Sequence, residues 1–278
     1  SIGFIVFGVA SGLSISKLFL AGIFPGIYLG VALAFAWWWC VRKENVAPAP
    51  RTTGREKFDA FIKSLWALGL PFIIIFGLKF GIFTPTEAGV VAVVYSLVVA
   101  LFVYRELKIS DLYAVFLTAA KTTSVVMFLV AAALVSAWLI TIADLPGQVT
   151  ELLEPLMESP TLLMVAIMVL VVLVGTAMDM TPTILILTPV LVPVVKEAGI
   201  DPIYFGVLFI INNAIGLITP PVGLNLYVIN GIAPDVPLSR ILWGSLPYVL
   251  CMLLAILILC IFPGIATWLP DMLMGPAI

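Results

Sequence analysis

Stretch after stretch of this chain stays apolar for about the 20 residues that a helix needs to cross the hydrocarbon core of a bilayer. That feature decides the solvent. Hydrophobic residues make up 63% of the chain and charged residues 10%, against roughly 45–50% and 25% in soluble domains. The apolar stretches lack the short alternating pattern of outer-membrane strands. The expected fold is an all-α polytopic membrane protein.

Charge and reactive side chains narrow the function classes. The formal net charge is -2, and no basic stripe interleaves with aromatics, so nucleic acid is excluded as a partner. The chain has no histidine, which removes the commonest catalytic base and the commonest metal ligand. No clustered carboxylates and no nucleophile–base pair replace it, so no enzyme and no cofactor are expected. Cys40, Cys251 and Cys260 lie in or beside apolar stretches without CxxC spacing and read as packing residues.

Hydropathy predicts a full span over 17–39, then a polar cytoplasmic linker over 41–63 containing Pro48, Pro50 and Gly54. Spans over 64–80 and 87–104 follow, joined by a turn at Phe83-Thr84-Pro85-Thr86. A stretch over 112–142 exceeds one straight span and is expected to bend or break. An acidic loop with Asp144, Glu151, Glu154 and Glu158 precedes apolar segments at 162–174, 184–195, 204–218, 224–232 and 243–262. Arg42, Lys43, Arg51, Arg55, Lys57 and Lys63 share one loop, with Arg105 and Lys108 two spans on. The positive-inside rule puts both on the cytoplasmic side and the acidic loop opposite. The segments at 162–174 and 184–195 are short for crossing at about 1.5 Å per residue, so 161–196 is expected to be a re-entrant hairpin.

An internal repeat organises these spans. Ile15-Ser16-Lys17-Leu18-Phe19-Leu20, with Gly22 and Pro25, matches Leu238-Ser239-Arg240-Ile241-Leu242-Trp243, with Gly244 and Pro247. Each copy follows a short apolar half-helix, and the charge count gives them opposite orientations. Inverted-topology repeats mark many secondary transporters, whose sites lie near the midplane where the repeats meet. The chain opens on Ser1 inside an apolar run, 1–10, too short to span. It is therefore expected to begin mid-helix, as a piece of a longer protein. The expected divisions are 1–40, ending the first repeat; the linker 41–63; scaffold-type helices 64–111; a transport-type region 112–235; and a last span with its tail, 236–278.

Two apolar segments are interrupted, and there the chemistry is expected. The first interruption is Gly175-Thr176-Ala177-Met178-Asp179-Met180-Thr181-Pro182-Thr183, at the hairpin tip. Pro182 fits the first turn of a new helix, with Thr181 as its N-cap. Backbone carbonyls that lose helical partners are tolerated in a bilayer only when buried in protein or lining a cavity, where they can hold a cation. A carboxylate at Asp179 costs about 2.5–3.5 kcal/mol near the membrane centre, which a sodium ion or a proton would offset; at the interface, Asp179 would be a solvated turn residue. The second interruption is Asn212-Asn213-Ala214-Ile215-Gly216-Leu217-Ile218-Thr219-Pro220-Pro221-Val222-Gly223, which breaks the helix expected over 203–232. Tandem prolines cannot continue an α-helix, so two half-helices should flank an unwound middle, or the span is a proline-kinked packing helix. The first half-helix ends in carbonyls suited to a cation and the second starts with amides suited to an anion. Hard oxygen ligands of this kind suit sodium. The sodium candidates are Gly175, Thr176, Asp179, Asn213, Gly216, Thr219 and Pro221; the substrate candidates are Thr181, Pro182, Asn213 and Asn225.

Lys121 could attract a substrate carboxylate or snorkel to the cytoplasmic interface. Glu87 suits the first turn of its helix, and Trp37, Trp38 and Trp39 suit an interfacial aromatic belt. Coupling to protons through Asp179 and passive conduction through a channel remain alternatives to sodium symport.

The runs Thr84-Pro85-Thr86-Glu87-Ala88-Gly89, Gly175 to Pro182 and Gly216-Leu217-Ile218-Thr219-Pro220-Pro221-Val222-Gly223-Leu224-Asn225 closely resemble the large membrane subunit of TRAP transporters, the tripartite ATP-independent periplasmic family. The resemblance covers essentially the whole chain. It implies a sodium-coupled importer of organic acids, such as C4-dicarboxylates or sialic acid, in a bacterial inner membrane. It implies as partners a small membrane subunit and a soluble periplasmic substrate-binding protein, and an elevator motion of a domain carrying both hairpins against a scaffold. The two interruptions would supply half of the sodium and substrate site, the other half belonging to the first repeat.

Overall fold

The computed structural model of the chain describes residues 2–42 and 52–275, and among these there is no strand. Ser1, Lys43, Pro48, Pro50 and Arg51, and with them much of the linker, lie outside the described residues. The helices are α1 (Ile2–Ser11), α2 (Ile15–Ala21), α3 (Ile23–Val41), α4 (Gly54–Lys79), α5 (Pro85–Val98), α6 (Leu112–Ile142), α7 (Leu145–Met157), α8 (Pro160–Ala177), α9 (Met180–Glu197), α10 (Pro202–Gly216), α11 (Leu224–Ile232), α12 (Leu238–Ile261) and α13 (Gly264–Met274). Seven segments among the described residues are long and apolar enough to cross a membrane. The fold is the all-α polytopic one.

Local chemistry explains several boundaries. Thr84 and Glu87 form a capping box at the start of α5: the Thr84 amide donates to Glu87 Oε2 at 2.7 Å and the Glu87 amide to Thr84 Oγ1 at 3.3 Å. Each satisfies an amide that the helix leaves without a partner. Thr53 and Glu56 do the same for α4, which starts at Gly54, so the end of the polar linker is already helical. The acidic stretch is no loop: α7 is an amphipathic helix that lays Leu153, Leu156 and Met157 on the core while Glu151 and Glu154 stay exposed. The stretch at 112–142 is one unbroken helix, α6, because it contains neither proline nor glycine. The first span divides at Gly22 into α2 and α3.

The chain forms two compact units, one of residues 1–44 with 126–278 and the other of residues 45–125. In the second, α4 packs on α5. Tyr95 Oη donates to the Trp66 carbonyl at 2.6 Å and Tyr104 Oη to the Lys63 carbonyl at 2.7 Å. Lys121 is exposed on α6. The first unit holds the core, and its axis is α10, buried over nearly its whole length against α8, α9, α1 and α12. Phe7 of α1 is fully buried, 5.8 Å from Phe209 and 6.1 Å from Phe205 between ring centres. Gly206 makes that approach possible, since a Cβ there would meet the Phe7 ring. The buried Tyr204 hydroxyl donates to the Leu259 carbonyl at 2.9 Å, which satisfies a polar group that would otherwise be costly. The repeated half-helices α1 and α11 precede α2–α3 and α12, and α12 packs along α3. These units divide the chain differently from the expected cut between 64–111 and 112–235. At the end of α3, the Arg42 guanidinium lies 4.3 Å from the ring centre of Trp39 and 5.8 Å from that of Trp38.

Candidate functional site

The two interrupted segments meet. The arms α8 and α9 are each 18 residues long, about 27 Å at the α-helical rise. Both exceed the apolar cores that hydropathy marked, because Ser159 and Asp179 cap them further out. The arms pack on α10 more than on each other. Only Met178 and Asp179 separate them, so the carbonyl end of α8 and the amide end of α9 fall together at the tip.

Two glycines let the ends of α8 and α10 touch backbone to backbone. A Cβ on Gly216 would lie 2.7 Å from the Gly175 carbonyl carbon and 2.8 Å from its Cα. A Cβ on Gly175 would lie 2.8 Å from Asn213 Oδ1 and 3.3 Å from Gly216 Cα. Asn213, fully buried one turn earlier on α10, donates through Nδ2 to the Met180 carbonyl in α9 at 3.3 Å. The unwound chain after α10 returns to the same place, where the Gly223 amide donates to the Thr176 carbonyl at 3.0 Å. Gly223 holds φ at +57° and has Leu226 and the Thr219 carbonyl close to where a Cβ would stand, so the position requires glycine. Gly175, Thr176, Asn213 and Gly216 therefore form one cluster that ties together α8, α9, α10 and the start of α11.

Within it, Asn213 Oδ1 is buried and has no hydrogen-bond partner. An unsatisfied buried acceptor costs about 1–3 kcal/mol. Among the described residues no group of three or more His, Cys, Asp or Glu could hold a metal, so a cation here would be held by amide, hydroxyl and backbone oxygens. Such a donor set fits a hard, weakly bound ion.

The other expected site residues belong to the start of α9, the unwound turn and the start of α11. The Asp179 side chain is the N-cap of α9, accepting from the Met180 amide at 2.8 Å, and it is exposed. This corrects the expectation that Thr181 caps the helix. Thr181 and Pro182 follow, half-buried in the first turn, where a missing amide hydrogen is harmless because helix-start amides have no intrahelical acceptor. The Thr219 hydroxyl donates back to the Ile215 carbonyl at 2.6 Å. Pro221, which follows Pro220 through a cis peptide bond, and Asn225 are exposed; the Asn225 amide donates to the Leu217 carbonyl at 3.0 Å. The unwound middle between α10 and α11 is thus present as expected from the tandem prolines.

Sequence reading passed over two buried polar groups. Asn212 donates to the Met168 carbonyl at 2.5 Å and keeps an unpartnered Oδ1. Thr188, 1% exposed in α9, has an unpartnered hydroxyl; its only signal was a lone hydroxyl within an apolar run. A separate cleft of 380 Å³, lined in part by Thr161, Asp201, Thr267 and Asp271, lies at the opposite end of α10 from Asn213. Burial pushes the Asp201 carboxyl above the usual range, against the hydrogen bonds it accepts from the Ile203 and Tyr204 amides.

Residues 1–265 match the family model described as "Tripartite ATP-independent periplasmic transporter, DctM component". The chain is 55% identical over 99% of its length to the 2,3-diketo-L-gulonate TRAP transporter large permease protein YiaN of Escherichia coli (strain K12), covering 63% of that protein. It is 37% identical over 98% of its length to the C4-dicarboxylate TRAP transporter large permease protein DctM of Pseudomonas aeruginosa, covering 64% of it. It is likewise 37% identical over 98% of its length to the ectoine TRAP transporter large permease protein TeaC of Halomonas elongata, covering 64% of that protein. The chain spans just under two thirds of the length of these relatives. They are permease proteins, not enzymes, and seat the chain in the bacterial inner membrane as a multi-pass protein. The chain belongs to the DctM family, the large permease component of TRAP transporters.

Proposed function

We propose that the chain is part of a sodium-coupled TRAP importer of organic acids, and that sodium is held where α8, α9 and α10 converge. The observation that carries the reading is the buried, unpartnered Asn213 Oδ1 beside the Gly175–Gly216 crossing. A cation at that oxygen would offset its desolvation, and the carbonyl ends of α8 and α10 supply the favourable end of two helix dipoles. Gly175, Thr176, Asn213 and Gly216 are the inner ligand set, with Thr219 and Pro221 shaping the unwound turn and Asp179 adding negative charge at the tip. The amide end of α11 with Asn225, and the first turn of α9 with Thr181 and Pro182, would face the substrate carboxylate, because helix N-termini attract anions. The names of the relatives, for 2,3-diketo-L-gulonate and C4-dicarboxylates, support a carboxylated substrate. Partners in the proposal are a small membrane subunit and a periplasmic substrate-binding protein, and the motion is of the elevator type.

The test is uptake into proteoliposomes holding the intact transporter, with a candidate binding protein outside and sodium replaced by choline at constant pH. Uptake should cease in choline and return with sodium, and Asn213→Ala should raise the sodium concentration for half-maximal uptake. Uptake that persists in choline would overturn sodium coupling and favour proton coupling; conductance without saturable uptake would indicate a channel.

A further inference from the structure

Helix α9 carries its three prolines on one side. At about 100° per residue, Pro182, Ile186, Pro189 and Pro193 fall within roughly 60° of one another, and Lys196 and Glu197 continue the same stripe at the helix end. Burial divides along the same line. Ile184, Leu185, Thr188, Leu191, Val192 and Val195 are buried in the core, whereas Ile186 and Pro193 are exposed and Pro182 and Pro189 half-buried. Proline has no amide hydrogen, so the Leu185 and Pro189 carbonyls lose the donors that residues 189 and 193 would have supplied. On such a helix these carbonyls lie beneath the prolines, on the uncovered side.

α9 is apolar and long enough to cross a membrane. In hydrocarbon, a backbone carbonyl deprived of its donor costs several kcal/mol, and such backbone is tolerated only against protein or water. A lipid-facing stripe also has no need of prolines, which weaken a helix interior by about 3 kcal/mol each. The exposed face of α12 at Leu250, Leu254 and Leu257, past the one proline inside that helix, Pro247, is the contrast: it is aliphatic, and no carbonyl from Leu250 to Leu257 faces a proline in place of its donor.

We infer that the Pro182–Ile186–Pro189–Pro193 face of α9 lines a water-filled cavity within the membrane, with water as the donor to the two proline-freed carbonyls. The stripe ends on Lys196 and Glu197, whose charges continue the wet surface to the helix terminus. The inference rests on the transporter reading only for placing α9 in a membrane, and it makes no use of the coupling ion.

Cysteine accessibility tests it, because the cysteine thiolate, which needs water to form, attacks the sulfur of charged methanethiosulfonate reagents and expels methanesulfinate to leave a mixed disulfide. Ile186→Cys and Pro193→Cys are made separately in the intact transporter lacking its native cysteines, with Leu254→Cys as the lipid-facing control and Leu191→Cys as the buried one. Modification is followed without sodium or substrate, so failed coupling would leave the measurement untouched. Both stripe variants should react with the charged reagent at least tenfold faster than either control. If both react only with a lipid-soluble maleimide, the face meets lipid; if neither reagent reaches them, protein covers it. Either result overturns the inference.

Discussion

Gly216→Ala is the sharpest test of the convergence, because the added methyl group would have no flexible neighbour to displace. It would stand 2.7 Å from the Gly175 carbonyl carbon, 2.8 Å from its Cα and 3.1 Å from its oxygen. Carbon atoms pack at about 3.5–4.0 Å, so α8 and α10 must part by roughly 1 Å. Forcing a methyl group into a packed interior costs about 1–3 kcal/mol. The same separation strains the Gly223 amide to Thr176 carbonyl bond, 3.0 Å, and the bond from Asn213 Nδ2 to the Met180 carbonyl, 3.3 Å. If the cost falls on the ion-bound arrangement, sodium binding weakens by about five- to 150-fold, at tenfold per 1.4 kcal/mol. The assay pairs the sodium dependence of uptake with the thermal midpoint in detergent. Gly231→Ala is the control: its Cβ would meet nothing within 4 Å, so it should be neutral or stabilise α11 by about 0.5–1 kcal/mol. A Gly216→Ala protein with parental midpoint and parental sodium dependence would refute the backbone contact.

Thr188→Val should raise the thermal midpoint, because it removes a buried hydroxyl with no partner while keeping the side chain's shape, and such an orphan costs about 1–3 kcal/mol; a lower midpoint would show that the hydroxyl is used. Asp179 separates capping from charge: Asp179→Asn keeps the cap and should retain parental stability, whereas Asp179→Ala should lose about 0.5–2 kcal/mol. If the carboxylate adds charge at the sodium site, both variants lose sodium affinity, and parental sodium affinity in Asp179→Asn would confine the residue to capping.

How far the sequence was legible follows from how local each cause is. The capping box at Thr84 and Glu87, the unwound Pro220–Pro221 segment and the half-helix α11 at Leu224–Ile232 each depend on residues within one or two turns, and all three could be read off. The unbroken α6 could have been read the same way, since its length suggested a break but no residue in it can cause one. Asp179 shows the same locality. Its charge was conspicuous, but the local rule that an aspartate before a helix caps it accounts for the side chain's geometry. Thr181, two residues into the helix, was credited with that cap.

The crossing of Gly175 with Gly216 was not legible in that way. Both glycines stood in polar interruptions and looked like punctuation, and nothing within a few residues of either announces a partner some 40 positions away. The chain makes the contact because α10 is buried on nearly all sides, so its carbonyl end can close only against another helix, and two missing side chains let α8 come near enough. The same closure encloses the Asn213 amide, satisfies its nitrogen at Met180 and leaves its oxygen without a donor. An asparagine so enclosed destabilises the fold unless something positive meets that oxygen. If sodium is what meets it, Asn213→Leu, an apolar replacement of similar reach, should leave a folded permease whose stability no longer responds to sodium. An Asn213→Leu protein that is still stabilised by sodium would place the ion elsewhere.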